Sequence, residues 1–129
     1  MTFVPKVLLR SEESGGHVAL CENVAPPRWP GPPLHRHDFD EAFYVLEGEL
    51  IFQLEAQLIT RRAGEFAFAP RNVVHTFANH SDVPARYLLV ITPASFERYF
   101  ARMADDVPEW ARQPYPETTV VGPQIPSTP

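Results

Sequence analysis

The sequence predicts an all-β domain with one short helix near its C-terminal end. Two observations carry this. Up to residue 92, short apolar runs alternate with turn residues, and almost nothing repeats at the helical period. After residue 92 a single apolar stripe appears at helical spacing. A chain of 129 residues supports one domain with a moderate core. That domain is placed at residues 1–107, with the helix at about 93–104 and a Pro-rich tail over 108–129.

Residues 7–9 and 17–24 read as the first strands, separated by Ser14-Gly15-Gly16. Residues 26–33 hold five prolines, too many for a central strand, so they form a stiff, extended lead-in. His35 and His37 stand two apart and face the same side of the strand that follows. Asp38-Phe39-Asp40 reads as a hairpin turn, which starts Glu41 on a neighbouring strand facing the same interior, with Phe43 and Val45 in its parity. Glu47-Gly48 is the next turn. Leu50, Phe52 and Leu54 then alternate with polar residues, an alternation that Ile51 breaks. Residues 57–62 form another strand, and residues 65–69 lead into the turn Pro70-Arg71-Asn72. His75 and Phe77 share one face of the returning strand. Tyr87-Leu88-Leu89-Val90-Ile91 is apolar on both faces, so both are buried: one inward, the other under a second subunit or the C-terminal segment. Thr92 reads as a helix N-cap and Pro93 as the first helical residue. Phe96, Tyr99, Phe100 and Met103 then form the stripe that packs against the strands. The tail carries six prolines; it is a strap over the domain or disordered, and Val120-Val121 could add a short edge strand.

His35, His37, Glu41 and His75 have the spacing of a mononuclear metal site. Imidazole nitrogen and carboxylate oxygen together suit one divalent transition ion: Fe, Mn, Ni, Co, Cu or Zn. The flanking residues extend the pattern. The first segment runs His35-Arg36-His37, then Glu41, then Gly48; the second runs Gly64, Pro70, Asn72, His75, Asn79. This resembles the two motifs of the cupin superfamily, and in particular its single-domain, quercetin-dioxygenase-like members. Two positions depart from the motifs: Trp29 stands where a Gly is usual, with Gly31 two residues later, and Asn72 stands where a second Gly is usual. Asn is the next best residue at positive φ, so the turn should survive. The resemblance implies a small antiparallel β-barrel (a double-stranded β-helix, or jelly roll) with the metal at its centre. It further implies that Glu41 doubles as ligand and catalytic base.

Three neutral imidazoles, one carboxylate and a divalent ion sum to +1, a charge that favours an anionic oxygen ligand. Phe43, Val45, Phe52, Phe68 and Phe77 are the expected substrate-pocket residues, suited to an apolar or aromatic body. Every small barrel fills its interior in this way, so the lining is weak evidence for substrate class. Three functions compete: a dioxygenase-like enzyme on a small aromatic or enolisable substrate, a metal-dependent isomerase or lyase, and a non-enzymatic small-molecule binder or sensor. A net charge of -5 argues against nucleic acid, and no apolar run reaches membrane-spanning length. The first residues lack a leader pattern, and the lone Cys21 fits a reducing cytosol. The doubly apolar strand and Ile51 point to a homodimer.

Overall fold

A computed structural model describes residues 5–127. Both ends of the expected domain and tail, residues 1–4 and 128–129, lie outside these, as does most of the segment read for a leader. Among the described residues, ten strands form two antiparallel five-stranded sheets facing each other in a jelly roll. The strands are β1 (Lys6–Leu9), β2 (Ala19–Ala25), β3 (His35–Arg36), β4 (Asp40–Glu47), β5 (Glu49–Leu54), β6 (Gln57–Arg62), β7 (Phe66–Ala69), β8 (His75–Ala78), β9 (Ala85–Thr92) and β10 (Thr119–Val120). One sheet runs β1-β2-β9-β4-β7, the other β10-β3-β8-β5-β6. A single helical turn, α1 (Ser11–Ser14), and a short helix, α2 (Glu97–Ala101), complete the elements that matter here.

The period-2 alternation read from the sequence is present in the strands. β2 and β9 bury every second residue: Ala19, Cys21, Asn23 and Ala25 on one, Ala85, Tyr87, Leu89 and Ile91 on the other. Phe43, Val45, Leu50, Phe52 and Tyr87 fill the space between the sheets, each at most 2% exposed. Fully burying side chains of this size contributes about 1.5–3 kcal/mol each. Their rings interlock, with Phe43 5.1 Å from Phe52 and 4.9 Å from Phe77 between centroids.

The Pro-rich lead-in is pinned to β8. Asn79 donates from its amide to the carbonyls of Ala25, Pro26 and Val83, and its backbone N–H donates to Trp29 O at 2.9 Å. Gly31, at φ +75°, passes so close to β8 that an added Cβ would lie 1.7 Å from Phe77 O. Asn72 adopts φ +64°, the left-handed conformation its turn requires.

Two expectations are corrected. The segment around Asp38-Phe39 is a crossover and not a hairpin: β3 pairs with β8 and β10 in one sheet, whereas β4 pairs with β7 and β9 in the other. The helix also starts later than Thr92-Pro93. Thr92 is held in the β9 ladder opposite Asp40, Ala94 donates to Gly16 O, and Ser95 at φ +150° cannot be helical, so α2 begins at Glu97. Strand pairing outcompetes a local capping signal.

As far as residue 127, the tail lies as a strap. Arg98 and Arg102 of α2 and the turn after it donate to the carbonyls of Pro114, Ala111 and Gln113. β10 adds to the edge of β3, with Val120 opposite His35 and Val121 N donating to Leu34 O. Gln124 donates to Gly31 O at 2.7 Å, and Ile125 is buried.

Candidate metal centre

Four side chains from four segments meet inside the jelly roll. His35 comes from β3, His75 from β8 directly opposite it, Glu41 from β4, and His37 from the crossover between sheets. One ligand atom from each lies within 4.8 Å of all the others. All four residues are buried, none above 8% exposed.

The hydrogen bonds set the ring orientations. His35 Nδ1 donates to Pro33 O at 2.7 Å, His37 Nδ1 to Phe39 O at 3.1 Å, and His75 Nδ1 to Val73 O at 2.9 Å. A carbonyl only accepts, so each Nδ1 carries the hydrogen and each Nε2 turns inward with its lone pair. The Glu41 carboxylate also only accepts, yet His37 Nε2 and His75 Nε2 both approach its Oε1, the latter at 3.2 Å. Acceptors facing one another at this range need a positive charge between them, either a proton or a cation. Three inward imidazoles and a carboxylate on one focus therefore suit a metal ion. Phe39, itself buried, stacks on His37 at 3.6 Å between centroids and 3° between planes, which fixes that ring further.

A proton in that place shifts both partners. Burial raises the Glu41 carboxyl, but hydrogen bonds and charge from His37 and His75 outweigh it and bring the pKa down to about 2. Burial lowers His75, but the hydrogen bond and charge of Glu41 outweigh it, and its pKa rises. His35, with less help from Glu41, is pushed down by burial. The centre keeps an ionised carboxylate.

A cavity of about 430 Å³ opens beside the cluster. Its lining includes His35, His37 and Glu41 at one end, with Trp29, Phe77, Tyr87 and Leu89 as wall. Phe96, Tyr99, Phe100 and Met103 roof it and the strap closes one side with Thr118 and Val120. Of the five expected pocket residues, only Phe77 reaches this cavity. Phe43, Val45 and Phe52 lie beneath it in the core. Phe68 is corrected outright: it is 45% exposed on the outer face, because Ala67 and Ala69 take the inward positions of β7 opposite Phe43 and Glu41. The stripe on α2 and its following turn does more than pack against the wall, since it forms the roof of the cavity. Tyr87 and Leu89 were missed because their strand is apolar on both faces, so parity could not tell which side was inward. The one available signal was a polar-tipped Tyr within that apolar run.

This two-sheet jelly roll with a His/Glu cluster is the architecture of the cupins, and the cupin domain family matches residues 24–91. The chain belongs to that family. It is 32% identical over 72 residues to quercetin 2,3-dioxygenase of Bacillus subtilis, covering 55% of this chain and 21% of that one. It is 34% identical over 76 residues to endoribonuclease YbeY of Myxococcus xanthus, covering 59% of this chain and 26% of that one. The chain thus spans about a fifth to a quarter of the length of these relatives, whose names denote different chemistries. Among solved structures, a predicted oxalate decarboxylase of Thermotoga maritima superposes with a TM-score of 0.66 at 24% identity, covering 70% of this chain and 80% of that one. That likeness shows the fold alone. Among the described residues, no helix is long and apolar enough to cross a membrane.

Proposed function

We propose that this protein is a metal-dependent, dioxygenase-like cupin acting on a small aromatic or enolisable compound. The observation that carries the reading is the pairing of an inward-facing His₃Glu cluster with an adjoining, largely aromatic cavity. His35, His37, Glu41 and His75 would hold one divalent transition ion, which when bound supplies positive charge and Lewis acidity. Glu41 is placed to take up the proton that a hydroxyl or enol gives up on binding as an anion. The three imidazoles keep their lone pairs on the same focus through their backbone carbonyl bonds. Trp29, Phe77 and Leu89 exclude water from the substrate body.

The isomerase or lyase reading has less behind it. Sugar phosphates call for an inward cation, and among the described residues no Lys or Arg lines the cavity. Loading the metal-free protein with Fe, Mn, Ni or Co and following O₂ uptake with flavonols, catechols and β-diketones tests the proposal. Uptake with one pairing supports it; no uptake with any pairing overturns it and leaves an isomerase or a binder.

We also propose that the protein acts as a homodimer through the outer face of the β1-β2-β9-β4-β7 sheet. Tyr44, Phe66 and Phe68 are 43, 64 and 45% exposed there. The strand register joins them to Leu88 and Val90 of β9 in one continuous apolar surface. Arg86 with Glu22 and Glu47, and Arg71 with Asp40, bring both charge signs to the same face. A two-fold partner meets that mixture with its own.

A further inference from the structure

The reading above places an anionic oxygen of the substrate at the His/Glu end of the cavity; the inference here rests on that reading and concerns the opposite end. Tyr87 faces inward from β9, four residues before Ile91, and Ile91 is the ladder partner of Glu41. Four residues of strand span about 13 Å, so Tyr87 is rooted well away from the His/Glu cluster while lining the same cavity. Its ring stands edge-on to Phe77, 5.5 Å between centroids at 82°. Opposite it on β2 is Asn23, 0% exposed, whose amide neighbours the Tyr87 hydroxyl. Neither amide atom of Asn23 completes a well-formed hydrogen bond.

A buried amide and a buried phenol in an apolar wall cost free energy unless something uses their hydrogen-bonding capacity. The remaining hydroxyls on the cavity, Tyr99 and Thr118, belong to exposed residues, and Trp29 is half-buried. Among the described lining residues, Tyr87 therefore supplies the buried hydroxyl, on the same cavity as the His/Glu cluster. Burial, together with the negative charge of Glu41 across the cavity, holds the phenol neutral, so it can donate at any ordinary pH.

We propose that Tyr87, positioned by Asn23, determines substrate specificity by hydrogen-bonding a polar group remote from the substrate's metal-binding oxygens. The favoured compounds are then aromatic or enolisable anions that also carry a hydroxyl or carbonyl at their far end.

The test uses the full chain loaded with Ni²⁺ and two flavonols that differ at that far end, 3-hydroxyflavone and 3,7-dihydroxyflavone, titrated by fluorescence. The wild type should prefer the dihydroxy compound by about 3- to 10-fold, the range of one neutral hydrogen bond. Tyr87→Phe should reduce the preference to less than about 2-fold, with metal content unchanged. Asn23→Leu should fall between the two, and it carries the test alone should the melting curve of Tyr87→Phe show an unfolded protein. No preference in the wild type, or a preference that survives in both variants, overturns the proposal while leaving the site's function standing. Failure of the loaded wild type to bind either flavonol overturns the dioxygenase-like reading and this proposal together.

Discussion

Glu41 differs from the three histidines around it, because in the proposed site it would take up a proton while the imidazoles still held an ion. Glu41→Gln should therefore lower turnover by 100-fold or more, on the order of a lost general base, while metal content falls far less. His75→Ala removes a ligand outright and should lower both together. Elemental analysis beside O₂ uptake separates the two patterns; equal losses of metal and turnover in both variants would remove the special role of Glu41. Cys21 gives a second prediction. Burial, with the negative charges of Glu97 and Glu41, pushes its thiol up to about 12. The reactive form is the thiolate, so the folded protein should resist iodoacetamide at pH 8–9 and react only near pH 12 or on unfolding. Rapid alkylation of native protein at pH 8, followed by mass spectrometry, would contradict that burial. At this scale the clustering of His35, His37, Glu41 and His75 was legible, because a period of two and short turn spacings are local rules. Phe68 was not legible. Its inward neighbours on β7 are alanines facing Phe43 and Glu41 across the ladder, so the larger residue stands outside and size misleads.

Among elements, the lead-in carries the most weight for its length. It reaches His35 by crossing β8 at Gly31, where an added methyl would collide with Phe77 O. Gly31→Ala combines that overlap with an unfavourable positive φ, and should cost about 2–4 kcal/mol. The displaced lead-in should also weaken metal binding, because His35 and its Pro33 anchor move with it. A thermal melt and a metal titration read the two effects; an unchanged melting temperature would show that β8 yields. The stiffness of this segment was legible from its prolines. Its docking was not, because the contacts of Asn79 with Ala25 and Pro26 join residues more than fifty positions apart. The crossover at Asp38-Phe39 was hidden for the same reason: a hairpin and a sheet switch share turn residues, and the partner strand decides between them.

For the whole molecule, the unequal outer faces govern behaviour. The β10-β3-β8-β5-β6 sheet is partly covered by its own chain, since the lead-in and strap lie across β3 and β8. The other sheet leaves Tyr44, Phe66 and Phe68 in the open. Phe66→Glu with Phe68→Glu should convert a dimer to a monomer in sedimentation at micromolar concentration, with the metal retained. A wild-type protein that already sediments as a monomer ends the dimer proposal. The sequence pointed to self-association through the doubly apolar β9 and Ile51; Ile51 stands on β5 in the opposite sheet, and the exposed aromatic residues stand on β4 and β7. Overall architecture was legible because two separated motifs restrict where four ligands can meet. Cavity shape was not, because its roof comes from residues beyond 95 that make no pattern with the motifs.

Each metal-facing imidazole is tethered to a carbonyl only two residues away in its own segment: Pro33, Phe39 and Val73. The rings are therefore aimed by short-range backbone geometry, and an arriving ion has little side-chain freedom left to freeze. Loaded and stripped protein should share one shape and one unfolding heat capacity, and differ in melting temperature only by mass action, as RT ln(1 + [ion]/Kd). A cage of this kind would exchange one ion for another without unfolding, so an occupant in the cell would follow supply as much as affinity.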